Sequence, residues 1–284
     1  ATARFFAPKV VTGRYRDLIR SETARLIGRL RAQGGADLDA LSLDLAVTVA
    51  AEIVGLTESD SAAMAHRLET ITSGGAQPRW AIGKLAMMLR RQWQVGHFLR
   101  KDVRPAIMAR KSAPRDDVIS HLIAEGYNDQ EILVECLTYG AAGMITTREF
   151  ITVAGWYLLE NPDLRARFMA ANDLGKVALL EEILRVEPVV GMIYRLMPDR
   201  PGVLGIDVRA ANTDETVTGA CPYGVDPDRN VAAKYGNAVM AFGDGEHRCP
   251  GAQVAMHEAA IFLEALLQVP GLRLERAPDI GWNA

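Results

Sequence analysis

Of the chain's 284 residues, 49% are apolar and 24% charged, with a formal net charge of −3, enough apolar material for a large core. The slight acidity argues against a nucleic-acid partner, which calls for a basic surface, and no run of eighteen or more apolar residues is present to span a membrane. Three scattered cysteines, Cys136, Cys221 and Cys249, lack the paired spacing of a disulfide framework and point to a reducing, cytoplasmic setting.

The chain opens Ala1-Thr2-Ala3-Arg4-Phe5-Phe6, with no initiator methionine and no signal-peptide layout, and is expected to begin inside a larger protein. From Arg14 to Arg31, apolar residues at Leu18, Ile19, Leu26, Ile27 and Leu30 recur at helical spacing, and Gly34-Gly35 ends the pattern. Within it Glu22 and Arg25 form a Glu-x-x-Arg pair, expected to be solvated. Leu41 to Val54 is almost wholly apolar and long enough for a buried helix rather than a strand. A short helical pattern over 59–72 precedes a loop over 73–78. Trp80 to Lys111 predicts a long basic helix broken or ended near Pro105, with Met87, Met88 and Trp93 turned to the core.

Asn128 and Glu131 have the spacing of a capping box. The helical pattern then runs to Glu160 and stops at Asn161-Pro162. About 30 residues at ~1.5 Å each make a rod of ~45 Å. Its middle reads Gly140-Ala141-Ala142-Gly143-Met144-Ile145-Thr146-Thr147. Each glycine costs ~1 kcal/mol of helix propensity. Close approach of a flat ligand or of a second helix would offset that cost. The Thr146 hydroxyl has two options, a bond to the carbonyl four residues back or a guest in a widened groove. A further helix is expected from about Leu174 to Val186, with Glu182 and Arg185 three apart on one face.

The most informative stretch is Ala241-Phe242-Gly243-Asp244-Gly245-Glu246-His247-Arg248-Cys249-Pro250-Gly251, followed by an amphipathic helix from Ala252 to about Gln268. Glycines on both sides of a cysteine describe a tight backbone turn that presents a sulfur to a flat partner. A helix N-terminus lowers a thiol's pKa, and Pro250 suits the first helical turn. Cys249 is therefore the candidate metal-ligating thiolate. A dinucleotide fingerprint fails here because Arg248 stands where a glycine is needed. His257-Glu258 lacks the second histidine of a zinc-protease helix, which leaves Glu258 as an exposed helix residue.

Phe242-x-Gly243-x-Gly245-x-His247-x-Cys249-x-Gly251 resembles the haem-binding loop of the cytochrome P450 family. The resemblance implies a mainly α fold with minor β and a haem-thiolate site, residues 1–284 forming part of a single catalytic domain. It also implies haem b (iron protoporphyrin IX) ligated by Cys249, with Phe242 beside the sulfur, Gly243 in the turn and Gly251 letting the helix lie on the macrocycle. His247 and Arg195 would reach the propionates, Arg195 through a planar donor fork. Ala142-Gly143-Met144-Ile145-Thr146-Thr147 is similar to the family's oxygen-binding helix, with Thr146 and Thr147 as catalytic residues and Ala142 and Gly143 against the haem. Glu182, Arg185 and Arg229 would make a buried charged network. Met144, Val189, Val190 and Met192 would line an apolar substrate pocket.

The chain departs from the family pattern in four places. Ile145 replaces the acid that, with threonine, helps deliver protons for O–O cleavage. The N-terminal sheet and first helices are missing, the C-terminal end stops before the final strands, and the stretch between Arg195 and Asp207 is too short for a hairpin, reading as a compressed turn over 197–202. The function implied is monooxygenation of a small or medium apolar molecule with O2 and electrons from a ferredoxin-type donor and its reductase, Arg248 being a candidate contact on the proximal side. Peroxide-driven or oxidative-coupling chemistry, which Ile145 would explain, and non-catalytic haem binding are the other readings.

Overall fold

The computed structural model describes residues 2–72, 80–197, 201–229 and 236–279. The expected loop over 73–78, part of the turn over 197–202 and the last five residues lie outside these. The fold is mainly α with minor β, 69% helix against 4% strand. Two compact units emerge: Ala1–Val10 with Leu43–Thr147, and Val11–Ser42 with Arg148–Ala284.

Local signals place the helix ends. The Arg16–Gln33 helix is closed by Gly34 in the left-handed conformation, whose N–H bonds to the Leu30 carbonyl. At the head of the Asp129–Glu160 helix the Asn128 amide donates to Glu131 Oε2 at 2.8 Å while Asn128 Oδ1 accepts from the Glu131 amide at 3.1 Å, a reciprocal capping box. Asn172 caps the Asp173–Val186 helix by accepting from the Gly175 amide at 2.9 Å.

In the first unit Leu45, Val49 and Ile53 of the Leu38–Val54 helix are buried, as are Met64, Leu68, Ile119 and Ile132. Arg110 is buried against Asp117 and also donates to Glu58 Oε1 at 3.0 Å and Thr57 Oγ1 at 2.8 Å. Gly55, at φ +100°, passes so close that a Cβ would lie 2.8 Å from the Asp117 carboxyl, so only glycine fits.

The long helix expected over Trp80–Lys111 is instead Ala81–Phe98, a π turn Leu99–Val103, and Arg104–Ser112. Pro105 has no N–H and crowds the preceding turn; the wider π turn accommodates it, so the chain continues as helix. Met87, Met88 and Trp93 are 39%, 51% and 62% exposed, not core-facing. The core of this segment begins only at Phe98.

In the second unit, Ile19, Leu26 and Ile27 of Arg16–Gln33 are buried where that helix packs on Ala252–Leu267, which buries Phe262, Leu263 and Leu266. The expected compressed turn near Arg195 is a two-stranded antiparallel hairpin, Met192–Leu196 on Val203–Asp207, with Arg195 opposite Leu204. Five residues per strand suffice, and Gly205 makes room for Met192 Sδ, which a Cβ would meet at 3.2 Å. Glu258, expected on the surface, is 3% exposed. Burial without a partner for its Oε2 pushes the carboxyl well above its ordinary pKa. Glu22 is also buried, although its partner Arg25 is exposed.

Candidate functional site

The cysteine loop is a succession of tight turns. Gly243 and Gly245 adopt φ +68° and +72°, a region that disfavours side chains. The Gly243 amide donates to the Met240 carbonyl at 2.9 Å, Arg248 to Gly245 at 3.1 Å and Cys249 to Phe242 at 2.8 Å. The last bond sets Phe242 beside the cysteine. Cys249 is exposed at the head of Ala252–Leu267, and its sulfur accepts from the amides of Gly251 and Ala252. A Cβ on Gly251 would lie 3.9 Å from that sulfur. Pro250 precedes the helix cap at Gly251 rather than sitting in the first turn.

The two amides and the charge of Arg248 lower the Cys249 pKa, but the protein packed beneath the sulfur outweighs them and the thiol ends above its ordinary value. This corrects the expectation of a helix-lowered thiol, because desolvation acts on the same atom as the helix terminus. A coordinated metal ion deprotonates such a thiol outright. Arg248 also pulls down Glu181, whose carboxyl is held above the usual range by burial. His247 is exposed in the 3-10 turn Gly245–His247.

Behind the loop, Glu182, Arg185 and Arg229 come together. Arg185 is fully buried and forks onto Glu182 with bonds of 2.7 and 3.0 Å. It also donates to the carbonyls of Asn212 at 2.9 Å, Pro222 at 2.6 Å and Gly224 at 2.9 Å. Arg229 donates to Glu182 Oε2 at 3.2 Å and to the carbonyls of Thr218 at 2.7 Å and Cys221 at 3.0 Å. The Asp226 amide adds a 3.0 Å bond to the same carboxylate oxygen. Two buried cations are thus spread over one carboxylate and a set of carbonyls, the condition under which a buried pair is tolerated.

Arg195 is exposed on the hairpin and donates to the Tyr194 carbonyl at 3.0 Å. Val190 and Met192 nearby are exposed, at 44% and 40%.

The Asp129–Glu160 helix stays α-helical through Gly140–Thr147, the stretch where the first unit ends, without a widened turn. Thr146 Oγ1 donates back to the Ala142 carbonyl at 2.5 Å. Gly140 and Gly143 admit neighbours: a Cβ would meet Leu68 Cδ1 at 3.3 Å and Ala50 Cβ at 3.5 Å respectively, so helix packing offsets their low propensity. Ala142 is exposed, and Ile145 and Thr146 are half-buried on the same side. Met144 is 1% exposed on the opposite face, a core residue of its unit rather than an open-face one. Thr147 is buried as well.

The sequence reading overlooked Asn212 and the carbonyls around Arg185. The only local signal is that Asn212 ends a five-residue helix, Val208–Asn212, capped by Asp207.

The site thus combines a helical fold, an exposed cysteine in a glycine-lined loop and a buried Glu-Arg-Arg cluster. The family model for cytochrome P450 matches residues 226–273. Nocardicin C N-oxygenase of Nocardia uniformis subsp. tsuyamanensis is 28% identical over 283 residues, covering 88% of this chain and 64% of the relative. Cyclomarin C epoxidase CymV of Salinispora arenicola is 28% identical over 284 residues, covering 93% of this chain and 68% of the relative. The fold is similar to the crystal structure of P450BioI in complex with acyl carrier protein, with TM-score 0.80 and 23% identity over 97% of this chain and 72% of that one. The chain thus resembles the cytochrome P450 family in its 226–273 stretch, in these relatives and in its fold. It spans 64% of the length of the nocardicin enzyme. Among the described residues no helix is long and apolar enough to cross a membrane.

Proposed function

We propose that this chain is part of the single catalytic domain of a haem-thiolate monooxygenase that oxidises a small or medium apolar organic molecule. The observation that carries the reading is the Cys249 loop, whose sulfur is presented at a helix head, flanked by a glycine and bonded by two backbone amides. Those features fit a thiolate that would hold haem b: a small-residue approach, a fixed sulfur and donors that tune its electron density. The names of the relatives, an N-oxygenase and an epoxidase, support oxygen insertion as the reaction class. When bound, haem supplies activation of dioxygen, and a thiolate ligand favours cleavage of its O–O bond.

The chain's own residues hold and tune. Cys249 would ligate the iron, the amides of Gly251 and Ala252 with the nearby Arg248 limit the charge on sulfur, and the Phe242 carbonyl accepts the Cys249 amide to close the loop. Arg195 and His247, both exposed, would be the propionate-binding groups. Ala142 and Gly143 would give a low helix surface for haem; of the two hydroxyls beside them, Thr147 is buried, and Thr146 would pass a proton only by giving up its bond to the Ala142 carbonyl. Val190 and Met192 are the apolar surface for substrate; Met144 is buried in the core of its own unit. Electrons come from a separate ferredoxin-type donor and reductase, and the setting is cytoplasmic.

A peroxide-driven enzyme is the second reading, favoured by one observation. Ile145 carries no exchangeable proton, and the Thr146 hydroxyl is committed to the Ala142 carbonyl at 2.5 Å.

The test is the absorption spectrum of full-length protein, expressed with haem available and reduced under carbon monoxide. A strongly red-shifted Soret band that disappears in Cys249→Ser, with the fold retained, is the expected result. Folded protein with no haem band would overturn the reading. Turnover with hydrogen peroxide alone, set against turnover with donor and reductase, then decides between the two oxidants.

A further inference from the structure

We propose that Asn212 is a positioning residue for the Cys249 sulfur, clamping the strained entry of the cysteine loop onto the buried Glu182–Arg185 pair; the proposal rests on the haem-thiolate reading above. Asn212 is fully buried. Its Nδ2 donates to the Arg185 carbonyl at 3.0 Å, its own carbonyl accepts from Arg185 Nη1 at 2.9 Å, and its Oδ1 accepts from the Met240 amide at 2.8 Å. The side-chain orientation is dictated: turning the amide over would set Nδ2 against the Met240 N–H and Oδ1 against the Arg185 carbonyl.

The residue just before Met240 supplies an independent observation. Val239 is buried and sits at φ +48°, a genuine outlier for a β-branched side chain. Such a conformation persists only where the surroundings over-determine it. The peptide that follows Val239 is the one Asn212 holds. From Met240 the constraint passes along backbone bonds already described, its carbonyl accepting from Gly243, and Phe242 accepting from Cys249. The buried charge cluster therefore reaches the sulfur through one side chain. An aspartate would keep the acceptor for Met240 but lose the donor to Arg185, and a leucine would lose both at similar volume.

The experiment compares full-length holoprotein carrying Asn212→Leu, Asn212→Asp or the reference core change Leu26→Ala, which removes a buried side chain of the same unit far from these bonds in sequence. Hydrogen exchange of the segment with the Met240, Gly243 and Cys249 amides is read by mass spectrometry at denaturant concentrations that match global stability. Exchange there should be more than ~10-fold faster in Asn212→Leu than in Leu26→Ala, with Asn212→Asp between them. In the ferrous carbon monoxide spectrum, roughly half or more of the red-shifted band should move to the position of a neutral ligand in Asn212→Leu only. If Asn212→Leu fails to fold, Asn212→Asp carries the exchange comparison with Leu26→Ala, and that comparison alone decides. Exchange no faster than in Leu26→Ala, or an undiminished red-shifted band, would overturn the clamp. A wild-type protein without that band overturns the haem-thiolate reading instead, and the exchange comparison still decides the clamp.

Discussion

The chain contains two Glu-x-x-Arg pairs on helices, Glu22–Arg25 and Glu182–Arg185, with the same residues at the same spacing. In both the guanidinium forks onto the carboxylate, with contacts of 2.5 Å in the first and 2.7 Å in the second. The surroundings separate them. The Arg25 and Glu22 side chains are 55% and 11% exposed, whereas both members of the later pair are fully buried. Around Glu182–Arg185 the chain brings a second arginine, the Asp226 amide and the carbonyls of Asn212, Pro222 and Gly224. Helical spacing makes a pair; the solvent it loses and the groups that replace that solvent decide what the pair is for.

The comparison breaks most sharply at Glu182. Replacing it by glutamine leaves two buried arginines without their shared anion, and a loss of about 3–5 kcal/mol is expected in denaturant unfolding. A loss as small as that of a surface pair would mean that the carbonyls alone hold Arg185 and Arg229.

Glu258 sharpens the contrast, as a buried carboxyl whose Oε2 has no partner where Glu182 has several. Its folded pKa is raised above the unfolded value. Its contribution to stability is therefore fully present below the unfolded carboxylate pKa, near 4, and is lost as pH rises through the folded value. Wild type should gain on the Glu258→Gln variant by up to about 1.4 kcal/mol per pH unit in acid titration within that window. Parallel stability curves from pH 7 to pH 4 would show that Glu258 is not buried neutral.

The smallest effect belongs to Arg25. Arg25→Ala should cost less than ~1 kcal/mol, and less still at high salt, in the same unfolding assay. A cost matching that of Glu182→Gln would erase the distinction between the pairs.

Helix limits were legible because their causes are local. Asn128 with Glu131, Gly34 after Gln33, and the Asn161-Pro162 stop each act within a few residues of chain. The turns of the cysteine loop were legible for the same reason, since its glycines and cysteine lie in one short segment. Less visible was anything set by distant partners. Met87, Met88 and Trp93 have core-like side chains yet lie open, and Glu258 is charged in sequence yet buried. The hairpin needs the pairing of Met192–Leu196 with Val203–Asp207, where only a compressed turn was expected.

The sequence by itself determined the helical framework, because helical periodicity, capping and turn chemistry are properties of neighbouring residues, and its resemblance to a known family pointed to the Glu182, Arg185 and Arg229 trio. Only the tertiary structure decided which Glu-x-x-Arg pair is buried, that Asn212 joins it to the cysteine loop, and that Cys249 is a thiol raised rather than lowered by its setting. Each of those depends on which groups displace water from a given atom, and those groups come from segments far away along the chain.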